Sequence, residues 1–441
     1  MKSPEGPVQD AAWQWDGEAD GADAVPGDVL GGGGPDGDGP RLSRRGLLIG
    51  AGVLAAGGAA WALGRVEGDG STPSPSPSRP QPTALSGPTP LWTYRGPQVM
   101  TPERLLAAPQ GPAFLSKAGW QALDPGTGRP GRLLVFDPPA PKDWPSDLEL
   151  PAGKIAVWRD YLFTATSRGH LDAHHLTDPT ADWSLALPEE LDGDVQLTCL
   201  NAGVLYGCLL SWPRSDSSAP SSRIFAVQLD RRSLLWSVAV DHQERPAAAT
   251  APYNKNLLAC VRSTGERLEL VVRDATTGEE VSTAAVTQDF GWCVASGTSF
   301  LVPDSNGGVY LLGPDGKPAW NHTAARGESW RALPPVPDTV RVFVLRNDGV
   351  VTCLETRTGA VLWSVKLPFL LDNRSRPLVV GGTLYVPGPA AGGVAAIYTA
   401  TGTPGWTFHD SGPGKDVWNL AADGSRLFAG HDDVLHALPL T

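Results

Sequence analysis

Short segments of alternating hydrophobic and polar residues, each followed by a tight turn, recur along residues 91–441. Tyr310–Trp320 (YLLGPDGKPAW), Cys353–Trp363 (CLETRTGAVLW) and Ala396–Trp406 (AIYTATGTPGW) share one pattern, and each begins 43 residues after the one before. The pattern predicts a strand, a turn with Asp-Gly or Thr-Gly, and a second strand that carries Trp. Glycine in these turns supplies the positive φ that a tight hairpin requires. The segments therefore predict antiparallel strands repeated at a fixed period.

Eight copies of the first strand of this pattern can be aligned along the chain. They begin near Trp120, His170, Arg223, Arg267, Val309, Val350, Val394 and Val434. Two further strands precede most copies and a fourth follows most of them. Four short strands in every 40–45 residues or so are typical of a blade of a β-propeller.

The two ends of the repeat array complement each other. The last copy, VLHALPL, has no fourth strand after it, whereas the segment PLWTYRG at residues 90–96 is a fourth strand with no blade before it. Pairing the two would close the ring and remove an exposed sheet edge. We therefore predict an all-β fold, an eight-bladed β-propeller of four-stranded blades over residues 91–441, closed by an N-terminal outer strand. A seven-bladed ring would require the weakly patterned first repeat, residues 111–137, to be discarded.

Residues 1–90 differ in composition from the repeats. Residues 1–40 contain nine acidic residues and one Lys, which predicts a disordered acidic tail. Residues 41–65 include Arg44 and Arg45 before the uncharged residues 46–63, and they resemble a twin-arginine export signal. The apolar segment would span about 27 Å as a helix, so a cleaved signal and a retained membrane anchor are both open. Residues 66–90 predict a Pro/Ser-rich linker.

The distribution of charge limits which partners and which cellular location the sequence allows. The net charge of -12 and the pI near 5.1 argue against a nucleic-acid partner. Basic residues precede the apolar segment and acidic residues follow it, which favours an outward-facing C-terminal part. We expect a monomer on the outer side of the cell membrane or a secreted, extracytoplasmic protein.

The repeat resembles that of pyrroloquinoline-quinone-type, quinoprotein-like propellers. The shared pattern is Ala-x-Asp-x-x-Thr-Gly-x-x-x-Trp, as in Ala122–Gly128, Asp274–Gly278 and Thr358–Trp363. The resemblance implies an eight-bladed ring in which a Trp of each outer strand packs between adjacent blades. The residues that correspond are Trp92, Trp183, Trp236, Trp320, Trp363 and Trp406. The family includes quinone-dependent dehydrogenases and non-catalytic members such as the propeller lipoprotein of the outer-membrane β-barrel assembly machinery.

The sequence offers little that a dehydrogenase of this family would need. Those enzymes use a catalytic Asp, calcium ligands from Glu and Asn, and usually two adjacent cysteines, and the sequence has no Cys-Cys pair. Asp304 and Asn306 have suitable side chains but their position predicts a turn. His431 and Asp433 share one strand face, which supplies only two metal ligands. We expect no catalytic residues, no metal and no PQQ or calcium, with a divergent quinoprotein-type dehydrogenase as the alternative. The five cysteines are expected to be buried thiols, with a disulfide between two of them as the alternative.

One group of residues is a candidate binding face. Trp292, Trp330 and Trp418 lie in or just before predicted innermost strands, and the segments before these strands meet at one mouth of a propeller channel. The charged residues nearby are Arg331, Arg374, Arg376 and Asp416. Aromatic residues and Arg favour binding interfaces, but the same rings would also serve as core packing. We interpret the protein as a non-catalytic platform that binds a protein or an envelope polymer. A sensor head, with residues 1–40 as its cytoplasmic part, is a further alternative.

Overall fold

The computed structural model describes most of residues 85–440. The undescribed residues within that range are 97–99, 109, 117, 136–154, 166–168, 192, 194, 210–221, 241, 251–255, 265–266, 287–291, 305, 326–327 and 413. The predicted acidic tail, the export signal with Arg44 and Arg45, and most of the linker lie outside the described residues. The described part of the chain contains no helix with the length and apolar character that crossing a bilayer requires.

Eight sheets, each with four antiparallel strands, are arranged in order along the chain, which confirms the predicted eight-bladed, all-β architecture. The strands of blades 1 to 4 are Met100–Ala108, Gly111–Ser116, Gly119–Leu123 and Pro130–Val135; Ile155–Trp158, Tyr161–Ala165, His170–His175 and Trp183–Ala186; Val195–Asn201, Val204–Leu209, Ser222–Gln228 and Ser233–Val240; and Gln243–Ala249, Leu257–Ser263, Leu268–Asp274 and Glu280–Val286.

Blades 5 to 8 have the same order of strands. Their strands are Val294–Ser296, Ser299–Pro303, Val309–Leu312 and Pro318–His322; Val336–Pro337, Arg341–Leu345, Val350–Glu355 and Val361–Lys366; Leu378–Val380, Thr383–Pro387, Val394–Tyr398 and Pro404–Phe408; and Asn419–Ala422, Arg426–His431, Val434–Pro439 and Trp92–Arg95. The described residues add two short 3-10 helices, Pro179–Ala181 and Glu189–Leu191. All eight aligned copies of the repeat correspond to third strands.

The burial of each strand depends on its distance from the centre of the ring, and this explains its hydrophobic pattern. The first strands of neighbouring blades contact each other and therefore surround the centre of the ring. The second strand Arg341–Leu345 is buried at every position after Arg341, because neighbouring blades cover both of its faces. The fourth strand Val361–Lys366 alternates between exposed and partly buried positions because its outer face meets solvent.

The ring closes through the N-terminal outer strand, as the sequence predicts. Trp92–Arg95 pairs antiparallel with Val434–Pro439, with Trp92 opposite Ala437. In addition, Leu85–Ser86 pairs in parallel with the fourth strand of blade 7, opposite Trp406 and Thr407. Two residues that the sequence analysis assigns to the linker therefore form a fifth, outer strand on that blade.

Four outer-strand tryptophans contact the next blade through the same hydrogen bond. In each case the indole Nε1 donates to a backbone carbonyl in the turn between the third and fourth strands of that blade. The donor–acceptor pairs are Trp92–Pro125 at 2.8 Å, Trp236–Ala275 at 3.0 Å, Trp320–Thr356 at 2.8 Å and Trp363–Thr399 at 2.9 Å. We call each boundary between an outer strand and the next blade a seam.

A glycine three residues after each acceptor lets the indole lie against the turn. These glycines, Gly128, Gly278, Gly359 and Gly402, have φ between 69° and 78°. A Cβ at Gly402 would lie 2.5 Å from the Trp363 ring, and one at Gly278 would lie 2.8 Å from the Trp236 ring. The Thr-Gly of the repeat thus meets two requirements, the positive φ of the turn and room for the ring of the preceding blade.

Other seams use different chemistry at the same place. On the fourth strand of blade 1, Arg132 forms two hydrogen bonds with the carboxylate of Asp182, at 2.8 and 2.7 Å, and a third with the carbonyl of His175 in blade 2. On blade 2, the ring of Trp183 lies 4.9 Å from the guanidinium carbon of Arg232 in blade 3. These seams replace the indole hydrogen bond with an ion pair and a cation–π contact.

The seam between blades 7 and 8 has no turn to accept the indole hydrogen bond. Blade 8 takes its fourth strand from the N-terminal segment, so no turn joins its third and fourth strands. Accordingly Nε1 of Trp406, a residue that is 6% exposed, has no hydrogen-bond partner among the described residues. Leu85 lies opposite this residue in the added parallel strand.

We predict that the Arg132–Asp182 pair makes part of the stability depend on pH. The hydrogen bonds from Arg132 lower the pKa of Asp182 from 3.8 to about 2. A carboxyl whose pKa is lower in the folded state stabilises the fold above the unfolded pKa, and this contribution is lost as the pH falls from about 4 to about 2. Because solvent screens this partly exposed pair, we expect a contribution of about 1 kcal/mol.

Denaturant unfolding of the wild type and Asp182→Asn at a series of pH values measures this contribution. At pH 6 we expect the wild type to be the more stable protein, and below pH 3 we expect the difference to shrink. An equal difference at both pH values would contradict the assignment.

All five cysteines are buried thiols, and the structure contains no disulfide among them. Burial raises the pKa of Cys353 to about 11 and raises the pKa of Cys260 and Cys293 as well. These thiols are therefore protonated at neutral pH and serve as small apolar side chains between and within blades.

Candidate functional site

Trp330 lies in the segment that leads into the first strand of blade 6, and it is 4% exposed. Its indole Nε1 donates to Oε2 of Glu328 at 2.9 Å, and the guanidinium carbon of Arg346 lies 4.5 Å from the ring centroid. Trp292, which is 7% exposed, belongs to the same hydrophobic cluster. The ring of Trp330 therefore lies below the surface, with Glu328 and Arg346 at its polar edges.

Backbone hydrogen bonds hold this segment against two loops. The backbone N–H of Ala332 donates to the carbonyl of Gly307 in blade 5. The N–H of Arg331 donates to Oδ1 of Asn347, and the N–H of Asn347 donates back to the carbonyl of Arg331 at 3.0 Å. The backbone of Arg331 is thus ordered while its side chain is exposed on this end of the ring.

Trp418 occupies the equivalent segment before blade 8 and is 1% exposed. Its backbone N–H donates to the carbonyl of Gly388 at 3.0 Å, and its indole Nε1 donates to the carbonyl of Ala390 at 3.1 Å. The ring also packs edge-on against His431 at 4.3 Å. As with Trp330, the loop between the second and third strands of the preceding blade receives the segment.

The charged residues form a second group between blades 7 and 8. Nη1 of Arg374 lies 2.7 Å from Oδ1 of Asp416 and Nε lies 3.0 Å from Oδ1 of Asp372. These carboxylates raise the pKa of Arg374, with Asp372 as the larger cause. Arg376 donates to the carbonyl of Asn373. All these side chains are partly exposed, so the rim here carries both signs of charge.

The structure brings some of the candidate residues together and separates others. Trp292 and Trp330 share a cluster between blades 5 and 6, Arg374 pairs with Asp416, and Trp418 lies in a different cluster between blades 7 and 8. The three indoles are buried and pack between blades. The exposed part of the face carries charged side chains. A binding role for this face stays a prediction.

Two residues that complete the site are not evident in the sequence. Arg346 covers the Trp330 ring and Asn347 anchors the backbone of Arg331. Both lie in the turn Arg346–Gly349 between the second and third strands of blade 6. The sequence distance of 16 residues between each contact pair gives no periodic signal that would join them.

His431 and Asp433, considered as a metal pair, face different partners. His431 is 2% exposed and its Nε2 lies 3.1 Å from Oδ2 of Asp410. Asp433 instead pairs with Arg95 at 3.2 Å on the surface. His436 also contacts Asp410, and burial lowers the pKa of His436, so its ring is neutral at neutral pH. This cluster packs blades 7 and 8 together.

The described residues do not fit the calcium and quinone chemistry of the dehydrogenases. They contain no group of three or more His, Cys, Asp or Glu side chains that could hold a metal ion. Asp304 starts a tight turn in which the N–H of Gly307 donates to the carbonyl of Asp304 and the N–H of Asp304 donates to the carbonyl of Gly308, both at 2.9 Å. The expected lack of a cofactor stays a prediction.

Comparisons with known proteins agree with this architecture. Residues 305–437 match the family PQQ_2, which is described as outer membrane protein assembly factor BamB. Outer membrane protein assembly factor BamB of Burkholderia pseudomallei (strain K96243) is 32% identical over 137 residues. That alignment covers 30% of this chain and 35% of the relative, so the chain spans about a third of the length of the curated relative it matches.

Two solved structures share the fold at low sequence identity. The computationally designed protein Ika8 has a TM-score of 0.56 and 13% identity, covering 80% of this chain and 99% of its own. Sqt1 of Saccharomyces cerevisiae has a TM-score of 0.53 and 11% identity, with the same coverage of 80% and 99%. These likenesses concern the fold alone. The chain is thus an eight-bladed β-propeller whose residues 305–437 match the PQQ_2 family.

Proposed function

We propose that the protein is a non-catalytic binding platform outside the cytoplasm, and that its partner is a protein. In this proposal residues 41–65 direct export or anchor the chain, residues 66–90 form a spacer, and the propeller presents the face around Arg331, Arg374, Arg376 and Asp416. An envelope polymer as the partner and a sensor role are the alternatives that the experiments below separate.

One observation carries the proposal. The family match covers residues 305–437, and the blades in that range supply six of the seven candidate residues of the face: Trp330, Arg331, Arg374, Arg376, Asp416 and Trp418. The matched relative is named for a role in outer membrane protein assembly. A propeller with that kinship and without a metal-ligand group in its described residues is better suited to binding than to catalysis.

The geometry indicates which part of the face would touch a partner. Trp330 and Trp418 are too deeply buried to contribute much contact area, whereas Arg331 is exposed and Arg376 is partly exposed. Arg side chains at such positions can form paired hydrogen bonds with carboxylates of a partner. We therefore expect recognition through the charged rim, with the two buried indoles fixing the loops that carry it.

We predict that Arg331→Glu combined with Arg376→Glu removes the partner without unfolding the propeller. The expected loss in recovery is roughly tenfold or more, as for the removal of central charged contacts from an interface. Cross-linking in the native cell, capture of the tagged full-length protein and mass spectrometry measure the loss. Arg231→Glu, an exposed Arg in a turn of blade 3, makes the same kind of charge change elsewhere and is the matched control.

The proteins that are captured distinguish a protein partner from an envelope polymer. A set of envelope proteins captured by the wild type and the control but lost from the double variant supports the proposal. Capture that is unchanged by the double variant contradicts this choice of face. Cell-wall sugars bound by the purified protein, without any protein partner, would favour the polymer instead.

A further inference from the structure

Two of the buried tryptophans of the candidate face pack against histidine rings. The centroid of the Trp330 ring lies 5.8 Å from that of His322, with the two planes tilted by 35°. The centroid of the Trp418 ring lies 6.0 Å from that of His436, again with a tilt of 35°. Histidine is the side chain that ordinarily changes its charge between pH 5 and 8, so both contacts can respond to pH.

His322 is the last residue of the fourth strand of blade 5 and is partly buried. The charged groups that face it are Glu328, which accepts the indole hydrogen bond of Trp330, and Arg346, which covers the same indole. Arg346 is in turn paired with Asp348 at 2.7 Å. Burial and, to a smaller extent, Arg346 lower the pKa of His322, whereas Glu328 opposes them. A proton on the packed His322 ring would therefore add a second positive charge beside Arg346.

His436 lies in the third strand of blade 8 and is 5% exposed. Its Nε2 lies 3.4 Å from Oδ2 of Asp410, and its Nδ1 lies 2.9 Å from the hydroxyl of Thr93. In a neutral imidazole one nitrogen donates and the other accepts, which suits a carboxylate on one side and a hydroxyl on the other. Burial is the largest cause that lowers the pKa of His436; His431 and Arg95 act in the same direction, and Asp410 opposes them.

The two tryptophans anchor irregular segments, residues 328–332 and 414–418. Backbone hydrogen bonds to nearby loops and isolated bridges hold these segments, rather than a continuous strand ladder. Such segments open locally at a lower free energy than the strands of a core do. Residues 328–332 carry Arg331 and residues 414–418 carry Asp416, two charged residues of the candidate face. Opening of either segment would therefore displace a charge of this face.

Protons bind to the opened form of each segment better than to its packed form. In water a histidine has a pKa of 6.5, and burial in the packed form lowers the pKa of both rings. The packed form is therefore fully favoured above about pH 6.5, and it loses stability relative to the opened form as the pH falls below that value. Each unit of difference between the two pKa values would raise the population of the opened form up to about tenfold.

We propose that His322 and His436 form a pH-sensitive switch, which loosens residues 328–332 and 414–418 in mildly acidic surroundings and so weakens the charged face. At neutral pH both rings are neutral and support Trp330 and Trp418. In mild acid each ring takes up a proton as its segment opens and water reaches the charge. The opening of the segments does not depend on the function proposed above, whereas its effect on binding rests on that function.

Hydrogen exchange of the purified full chain, followed by mass spectrometry, tests the switch. Exchange is compared at about pH 7.5 and about pH 5.5, after correction for the intrinsic effect of pH on exchange rates. We expect the protection of residues 328–332 and 414–418 to fall by roughly threefold or more at the lower pH, with little change in the strand Arg341–Leu345. Unchanged protection of either segment overturns the role of its histidine, and unchanged protection of both overturns the proposal.

His322→Gln and His436→Gln assign the response to the two rings. Glutamine offers a donor and an acceptor and stays neutral at both pH values. Each variant should lose the pH response of its own segment and keep that of the other, so each is the matched control of the other. His409→Gln changes an exposed histidine after the fourth strand of blade 7 and should keep both responses. A response that persists in the variant of its own histidine contradicts the switch.

The capture experiment, repeated without cross-linker and with washes at the same two pH values, tests the effect on the face. We expect the wild type to recover roughly threefold less partner or worse at the lower pH, and the double variant His322→Gln with His436→Gln to lose less. Equal recovery at both pH values would contradict the effect on the face. If the segments loosen but no partner is captured at either pH, the switch stands and the proposed function fails. The wild-type exchange comparison needs no variant, so it is decisive even where a variant does not fold.

Discussion

Replacement of Glu244 by Ala is expected to lower the free energy of unfolding by about 3–5 kcal/mol, the cost typical of leaving a buried charge without its partner. Glu244 lies on the first strand of blade 4 and is 0% exposed. Arg273 donates to both of its carboxylate oxygens, at 2.6 and 2.9 Å, and Arg262 donates to Oε2 at 3.1 Å. Without Glu244, Arg273 would keep a buried positive charge with little compensation.

Denaturant unfolding of wild type, Glu244→Ala and the double variant Glu244→Leu with Arg273→Leu measures this effect. The double variant removes both charges, so it should recover a large part of the loss. Glu269→Ala is the matched control, because Glu269 lies on the third strand near the same Arg262 but is partly exposed. A loss below about 1 kcal/mol for Glu244→Ala, close to that of a surface pair, would contradict the buried network.

The Trp363→Ala change is expected to lower the free energy of unfolding by about 3–5 kcal/mol, as for a large aromatic residue removed from a packed site. The ring lies 5.8 Å from Phe343 within its own blade and against Gly402 of the next one. The variant also leaves the carbonyl of Thr399 without its indole donor.

Leu362→Ala is the control for this prediction. Leu362 is the neighbouring residue and is 52% exposed, so its truncation should change the stability by less than about 0.5 kcal/mol. Thermal and denaturant unfolding of the two variants give the comparison. Equal stabilities of the two variants would show that Trp363 does not hold the seam.

The fold could be predicted from the sequence because the repeat contains residues that the local structure strictly requires. The turn requires a glycine with positive φ, and the indole requires a flat surface to pack on. Few other residues can replace either one, so Thr-Gly and Trp recur at the same positions in most blades. The incomplete last repeat and the isolated strand around Trp92 together predict the closure that the structure shows. Leu85–Ser86 could not be predicted, because two residues in a Pro-rich segment carry no periodic signal.

The contacts at the seams without tryptophan could not be predicted from the sequence. Arg132 and Ser282 take over the contact to the next blade with side chains that look like ordinary surface residues in the sequence. Likewise, Glu244 and Arg273 are 29 residues apart and belong to strands whose register only the folded sheet defines. The candidate face was located from the positions of Trp330 and Trp418, but their depth depends on loops of the preceding blades.

The last blade combines strands from the two ends of the repeat array, so it can form only late in folding. Thr93 contacts His436, 343 positions later in the chain, so the outer strand that emerges first from the ribosome must wait for the strand that emerges last. Closing so long a loop is slow compared with the formation of a single hairpin. Until it closes, the third strand of blade 8 is an open sheet edge that can pair with other chains. We expect chaperone dependence and aggregation during synthesis to be determined by this last event.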